Sequence, residues 1–254
     1  MGRYQRKIRV AAILLLVCAA AIGVTPAAFA QLSRATLLSA EEAAAWTAVG
    51  RVNVAGERRR SMCTGTLIAP DVVLTAAHCL TAPGTNAPFP AGQVHFVAGW
   101  HQGKSVAHSR AAHLAFHQDW FQSTADGLTR LESDLALIRL IEPMTPPKVL
   151  AFGTDRPPLP GDPLTLISYR RDRPHALTHQ PDCPYRAIIG QVLELECPVT
   201  YGASGAPVFA AGPDGQRVVA VLAAMGNGRD PQAFAVRIDT VLQQLLDQLP
   251  AADD

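Results

Sequence analysis

The sequence predicts an all-β chain of many short strands, closed by one C-terminal helix. Three observations carry this. The 254 residues include 20 prolines and 19 glycines, which cut the chain into short segments. Runs of β-branched and aliphatic residues alternate with turn signals, as in Thr64–Ile68, the Pro70-Asp71 turn and Val72–Thr75. Near the C-terminus, Ile238, Val241, Leu242, Leu245, Leu246 and Leu249 recur at three- and four-residue steps, the spacing of one helical face.

In chain order, residues 1–30 read as a secretory signal. Arg3, Arg6, Lys7 and Arg9 precede the uncharged apolar run Val10–Val24, and Ala28-Phe29-Ala30 is a small-x-small cleavage site. A membrane anchor is the alternative for a run of this length. A lipid anchor on Cys18 is disfavoured by the bulk of Val17. Removing residues 1–30 takes away four positive charges and no negative ones, so the formal net charge falls from +1 to −3. The remaining 224 residues suffice for one large or two small domains. No basic block suggests a nucleic-acid surface. Arg58-Arg59-Arg60 reads as a solvated loop.

Residues 31–45 read as a loose lead-in or short propeptide, and Ala48–Val54 as the first strand. The hairpin Thr64–Thr75 follows, running directly into Ala76-Ala77-His78-Cys79. Residues 81–130 read as loop-rich with scattered strands. His113 and His117 stand four apart, but Leu114 occupies the place where a metalloprotease helix carries glutamate, so the pair reads as surface. Glu132-Ser133-Asp134 opens a strand over Leu135–Leu140. Prolines at 143, 146, 147, 157, 158, 160 and 163 mark residues 143–163 as a link between two halves. Strands resume at Leu164–Tyr169, Ala187–Glu196 and Arg217–Ala224. Asp239 reads as the N-cap of the closing helix and Pro250 as its stop.

Of five cysteines, Cys18 leaves with the signal. The other four are an even number in an exported chain, which favours two disulfides. The local pairing Cys63–Cys79 and Cys183–Cys197 would close two loops of similar length, each stabilising by about 3 kcal/mol on the loop-entropy model. Zinc is the alternative use, without a C-x-x-C pair to support it.

Tyr201-Gly202-Ala203-Ser204-Gly205-Ala206-Pro207 sets one serine between two glycines. Such a turn can present a hydroxyl nucleophile beside backbone N–H groups. Singly, Ser204 also reads as a tight surface turn, His78 as a buried structural histidine and Asp134 as a strand-end cap. Together they resemble the chymotrypsin/trypsin-like serine peptidases. Cys63–Ile68 with Leu74–Cys79 looks like that family's histidine motif and its disulfide, Asp134–Leu137 like its aspartate motif, and Gly202–Pro207 like its serine motif. The order His, Asp, Ser is also the family's, and the likeness covers about residues 46–249.

The resemblance implies two antiparallel β-barrels of chymotrypsin type, residues 46–142 and 164–250, with the C-terminal helix in the second. It implies a secreted or periplasmic serine endopeptidase acting on protein or peptide substrates. Ser204 would be the nucleophile, His78 the general base, Asp134 its orienting partner, and the N–H groups of Gly202 and Ser204 the oxyanion hole. Activity should then rise around pH 6–7 if His78 keeps its free value. No cofactor, metal, nucleic acid or lasting membrane association is expected, and a monomer is.

Two departures agree with each other. Ala203 stands where trypsin-like enzymes carry aspartate, and no Ile-Val-Gly-Gly-like end precedes Trp46. Activation through an inserted N-terminal ammonium is therefore not expected. Cys197, seven residues before Ser204, is similar to the bacterial glutamyl-endopeptidase-like branch. The specificity wall implied is the strand Ala223-Ala224-Met225-Gly226, with Ala224, Met225 and Gly226 as the substrate-binding residues. It has no histidine suited to a bound glutamate, and Pro198 stands where Arg/Lys specificity needs aspartate, so a neutral side chain is expected next to the cut. An α/β-hydrolase would need a histidine after its serine, and none follows Ser204. The remaining rival is a protease-fold binding protein without turnover, its serine loop distorted by Ala203 and Ala206.

Overall fold

Pleated, half-buried runs pair antiparallel throughout the chain. The computed structural model describes residues 35–56, 59–122, 127–145, 152–154, 162–213, 215–226 and 232–250. The signal reading on residues 1–30 lies outside these residues, as does most of the proline-rich link.

The first described strand, β1 (Thr36–Leu37), belongs to the second half. The next six are β2 (Val49–Gly56), β3 (Arg59–Ala69), β4 (Val72–Thr75), β5 (Val94–Ala98), β6 (Ala107–Phe116) and β7 (Ala136–Leu140). They close a barrel in the order β2-β3-β4-β7-β6-β5. The alternation in β5 explains its place: Val94, Phe96 and Ala98 point inward and are fully buried, while His95 and Val97 are not. In β4 all four residues are buried, because Val72–Thr75 pairs with β3 on one side and with Arg139–Ala136 of β7 on the other. Arg59 and Arg60 belong to β3, paired with Gly56 and Ala55, rather than to a solvated loop; the ladder claims their backbone whatever their charge.

The second half comprises β8 (Leu164–Arg170), β9 (Arg173–Cys183), β10 (Tyr185–Ile189), β11 (Val192–Leu195), β12 (Pro207–Gly212), β13 (Gly215–Met225) and β14 (Ala233–Arg237). With β1 they form an eight-stranded antiparallel sheet, β1-β9-β8-β12-β13-β14-β11-β10, curled into a half-barrel. The sequence expectation of one strand over Ala187–Glu196 resolves into the hairpin β10–β11. Gly190, at φ +59°, turns the chain between Ile189 and Val192.

Residues 36–46 are not loose. Thr36 and Leu37 pair with His179 and Thr178 of β9, and Leu38 N–H donates to Leu177 O at 2.9 Å. Ser39 then caps the short helix α1 (Ala40–Ala43) in a capping box with Glu42. Trp46 packs against Phe152, His179 and Phe209, with ring centroids 5.1–6.1 Å away. A short helix α2 (Leu128–Glu132) leads to the aspartate loop. The closing helix is α3 (Leu242–Leu246), shorter than its apolar spacing suggests. Asp239 does not cap it, because both carboxylate oxygens are engaged by Arg237.

One buried cluster contains Leu67, Leu74, Phe96 and Leu137 of the barrel together with Tyr169, Phe209 and Val221 of the sheet. Each fully buried side chain of this size contributes about 1.5–3 kcal/mol. A second cluster holds Leu164, Leu195, Val208, Leu222 and Ala235 around Cys183 and Cys197. Both expected disulfides, Cys63–Cys79 and Cys183–Cys197, are formed.

Candidate active site

Three peripheral loops bring His78, Asp134 and Ser204 together. His78 sits on a 3₁₀ turn, Ala77–Leu80, directly after β4, and Cys79 of the same turn is tied by its disulfide to Cys63 in β3. Asp134 lies between α2 and β7, is 4% exposed, and has its N–H on Leu131 O at 2.9 Å. Its carboxylate takes two bonds from one residue. Oδ1 accepts the His78 backbone N–H at 2.9 Å, and Oδ2 lies 2.6 Å from His78 Nδ1. A carboxylate only accepts, so the imidazole proton resides on Nδ1 and Nε2 is left as the basic nitrogen.

Burial of the ring disfavours the imidazolium, and the distant charge of Arg130 does so slightly. The charge and hydrogen bond of Asp134 outweigh both, and the His78 pKa is raised above its ordinary value of 6.5. The side chain remains 36% accessible.

Ser204 and His78 line one cavity of about 280 Å³. Among the described residues no hydrogen bond joins the Ser204 hydroxyl to the imidazole. In a site without substrate such a bond is often long, and it tightens in the reacting complex.

The serine loop is fixed by two glycines and one threonine. Gly205 has φ +78°, and a Cβ there would lie 2.2 Å from Thr64 O and from Thr75 Oγ1. Gly202 has φ +92°, and its Cβ would lie 2.7 Å from Met62 Cε and 2.9 Å from Arg171 N. No L side chain fits either place. Thr64 is fully buried. Its N–H donates to Ser204 O at 2.8 Å, its hydroxyl donates to Gly202 O at 2.9 Å, and the same hydroxyl accepts Tyr169 N–H at 3.0 Å. These bonds hold the Gly202 and Ser204 carbonyls against β3. Among the described residues, neither Gly202 N–H nor Ser204 N–H is donated to a protein acceptor.

Sequence reasoning singled out Thr64 only as part of the histidine motif. Its role depends on a partner 138 residues away, which no local pattern signals. The serine loop's Ala203 is 1% exposed and belongs to the apolar cluster around Cys183–Cys197.

Apart from His78 the cavity lining is uncharged: Val199, Thr200, Tyr201, Leu222, Ala223, Ala224 and Met225, with Ser204 at its edge. Ala224 and Met225, of the wall that the sequence suggests, line this cavity. Gly226 does not line the cavity; its N–H turns to Gln232 O at 2.9 Å. Ala223, of the same expected wall strand, lines the cavity too, as do Val199, Thr200 and Leu222, to which no local sequence pattern pointed. Nδ1 or Nε2 of His78 and the sulfurs of Cys63 and Cys79 lie within 4.8 Å of one another, the spacing of a metal cluster. Both sulfurs are spent in the disulfide, so no thiolate remains to hold an ion.

Solved structures of similar fold include proteases. A Glu endopeptidase in complex with MPD aligns at TM-score 0.69 and 16% identity, covering 85% of this chain and 95% of its own. The thermostable serine protease AL20 from an extremophilic microorganism aligns at 0.64 and 18%, covering 79% and 95%. The protease Anisep from Arthrobacter nicotinovorans aligns at 0.63 and 17%, covering 78% and 93%. At these identities the likeness is one of fold. No curated protein matches the chain. The sequence pattern of the trypsin-like peptidase domain matches residues 63–221, more than half of the chain, and the protein belongs to that family of serine peptidases.

Proposed function

We propose that the protein is an exported serine endopeptidase that cleaves peptide bonds through an acyl-enzyme on Ser204. The observation that carries this is the double engagement of His78 by the Asp134 carboxylate, with Ser204 in the same cavity on a loop that two glycines hold open. Nε2 of neutral His78 takes the Ser204 proton as Oγ attacks the carbonyl, and returns it to the leaving amine. Asp134 keeps the ring in that tautomer and stabilises the transient imidazolium. The undonated N–H groups of Gly202 and Ser204 receive the oxyanion. Losing one such donor typically costs about 10²–10³ in rate.

The residue before the cut enters the cavity of Leu222–Met225, Val199 and Thr200, whose walls offer no countercharge and so favour a neutral side chain. Activity without an inserted ammonium follows from Ala203, since its apolar surroundings leave no acid for an ammonium to pair with. Export is supported by the two disulfides. Among the described residues no helix is long and apolar enough to cross a membrane.

The test is hydrolysis of denatured casein by the purified protein, with new peptide ends identified by mass spectrometry. Cleavage after neutral residues, lost in Ser204→Ala and His78→Ala, is expected. Folded protein that leaves casein intact would favour a binding protein built on the same fold.

A further inference from the structure

Beside the serine loop, stacked on a residue that also lines the neutral cavity, stands a cation that the proposed chemistry does not use. The leaving amine must depart past His78, which supplies its proton. His78 Nε2 lies 3.8 Å from Cys79 Sγ, so that side of the site is floored by the Cys63–Cys79 disulfide. Met62 precedes this disulfide in β3. Met62 Cε and the Arg171 backbone nitrogen are the two nearest atoms to the Cβ position of Gly202, followed by the Arg170 carbonyl carbon. The leaving side of Ser204 is therefore bounded by the disulfide, Met62 and the β8–β9 turn that carries Arg171.

That turn reads Arg170-Arg171-Asp172-Arg173. Arg170 spends its guanidinium on Asp172, with Nε 3.1 Å from Oδ1 and a second bond at 3.3 Å. Arg171 is held differently. Its backbone N–H donates to Tyr201 O at 2.7 Å, and its guanidinium carbon lies 5.2 Å from the centroid of the Tyr201 ring. Tyr201 is 60% exposed and also lines the cavity next to Ser204. Among the described residues Arg171 has no carboxylate partner. A cation stacked on an aromatic face keeps its donors in plane and free, which suits them to a carboxylate.

We propose that Arg171, positioned by Tyr201, forms a subsite for an acidic side chain within two residues after the scissile bond. The inference rests on the peptidase reading above. The protein thus combines a neutral residue before the cut with a preference for aspartate or glutamate after it. Arg171 acts by binding substrate and has no part in the proton transfers. Because the pair forms in water, its contribution is modest, a preference of about two- to fivefold, and it is screened by salt.

The experiment uses internally quenched peptides built on one cleaved casein sequence. They differ only in Glu, Gln or Lys at the first, then the second, residue after the cut. For the full-length protein, kcat/KM is expected to fall in the order Glu, Gln, Lys at one of these positions, with the spread shrinking in about 1 M salt. Arg171→Ala should equalise Glu and Gln, and Arg171→Glu should reverse the order of Glu and Lys. Thermal unfolding verifies that both variants are folded. Equal rates for all three peptides in the wild-type protein, or an order unchanged in Arg171→Glu, would overturn the subsite and leave the peptidase reading standing. A wild-type protein that cleaves no peptide would overturn both.

Discussion

At the scale of single residues, Thr64 and His78 decide how the candidate site is held. Thr64 carries three bonds from the barrel to the serine loop and its neighbour strand. Thr64→Val keeps the shape and the Ser204 bond but leaves Gly202 O and Tyr169 N–H buried without a partner. The expected cost is about 1–3 kcal/mol in urea unfolding. The altered Gly202 peptide should lower kcat more than it raises KM. A KM-only effect would remove Gly202 from the transition-state contacts.

His78 links stability to pH. Its pKa is raised in the folded protein because Asp134 outweighs burial. The stabilisation is therefore complete below the ordinary value of 6.5 and is lost as pH rises through the raised value. Urea stability of the wild type should fall across that window relative to Asp134→Asn, in which the histidine loses its charged partner. Parallel pH profiles for the two proteins would contradict the linkage. The proposed mechanism uses the neutral ring, so activity should rise over the same window, above the pH 6–7 range expected for an unshifted histidine.

At the scale of elements, the serine loop departs from trypsin-like enzymes at Ala203. Its surroundings, including Cys183, Cys197 and Val208, are apolar. Ala203→Asp would bury a carboxylate without a partner and should destabilise by on the order of 3–5 kcal/mol. An unchanged unfolding midpoint would mean that a cation reaches the site.

The elements were unevenly legible. β4 was readable over its whole length, because Val72–Thr75 is a run of four buried residues bounded by a Pro-Asp turn and the histidine motif. β9 was not, since Pro174, Pro181 and the polar residues between them break the strand pattern. Its pairing with β8 and β1 overrides that local preference. The helix start at Asp239 failed because a salt bridge from Arg237 competes for the capping carboxylate. The motifs that carry His78, Asp134 and Ser204 are compact and local, and the fold bonds His78 to Asp134 and sets Ser204 in the same cavity. The contribution of Val199, Thr200 and Leu222 to the cavity and the bonds of Thr64 were not legible, because they depend on contacts between segments distant in sequence.

At the scale of the whole molecule, the N-terminal arm belongs to the folded body. Leu38 is buried, β1 extends the sheet at β9, and Trp46 packs against both Phe152 and Phe209. Phe152 in turn joins the halves, since its N–H donates to Leu67 O of the barrel while its ring meets Phe209 of the sheet. A protein beginning at residue 46 should therefore unfold at lower urea than one beginning at residue 31, and should react no faster. A large gain in activity on truncation would instead make residues 31–45 an inhibitory propeptide.

The central claim is that His78 activates Ser204 as a nucleophile. It is tested most directly by intact mass after a fluorophosphonate probe, with the labelling rate followed from pH 5 to 9. A single adduct on Ser204 is expected. The rate should climb with a midpoint above 6.5, drop in His78→Ala and vanish in Ser204→Ala. Folded protein that takes no adduct, or takes it at a rate independent of pH, would contradict the account.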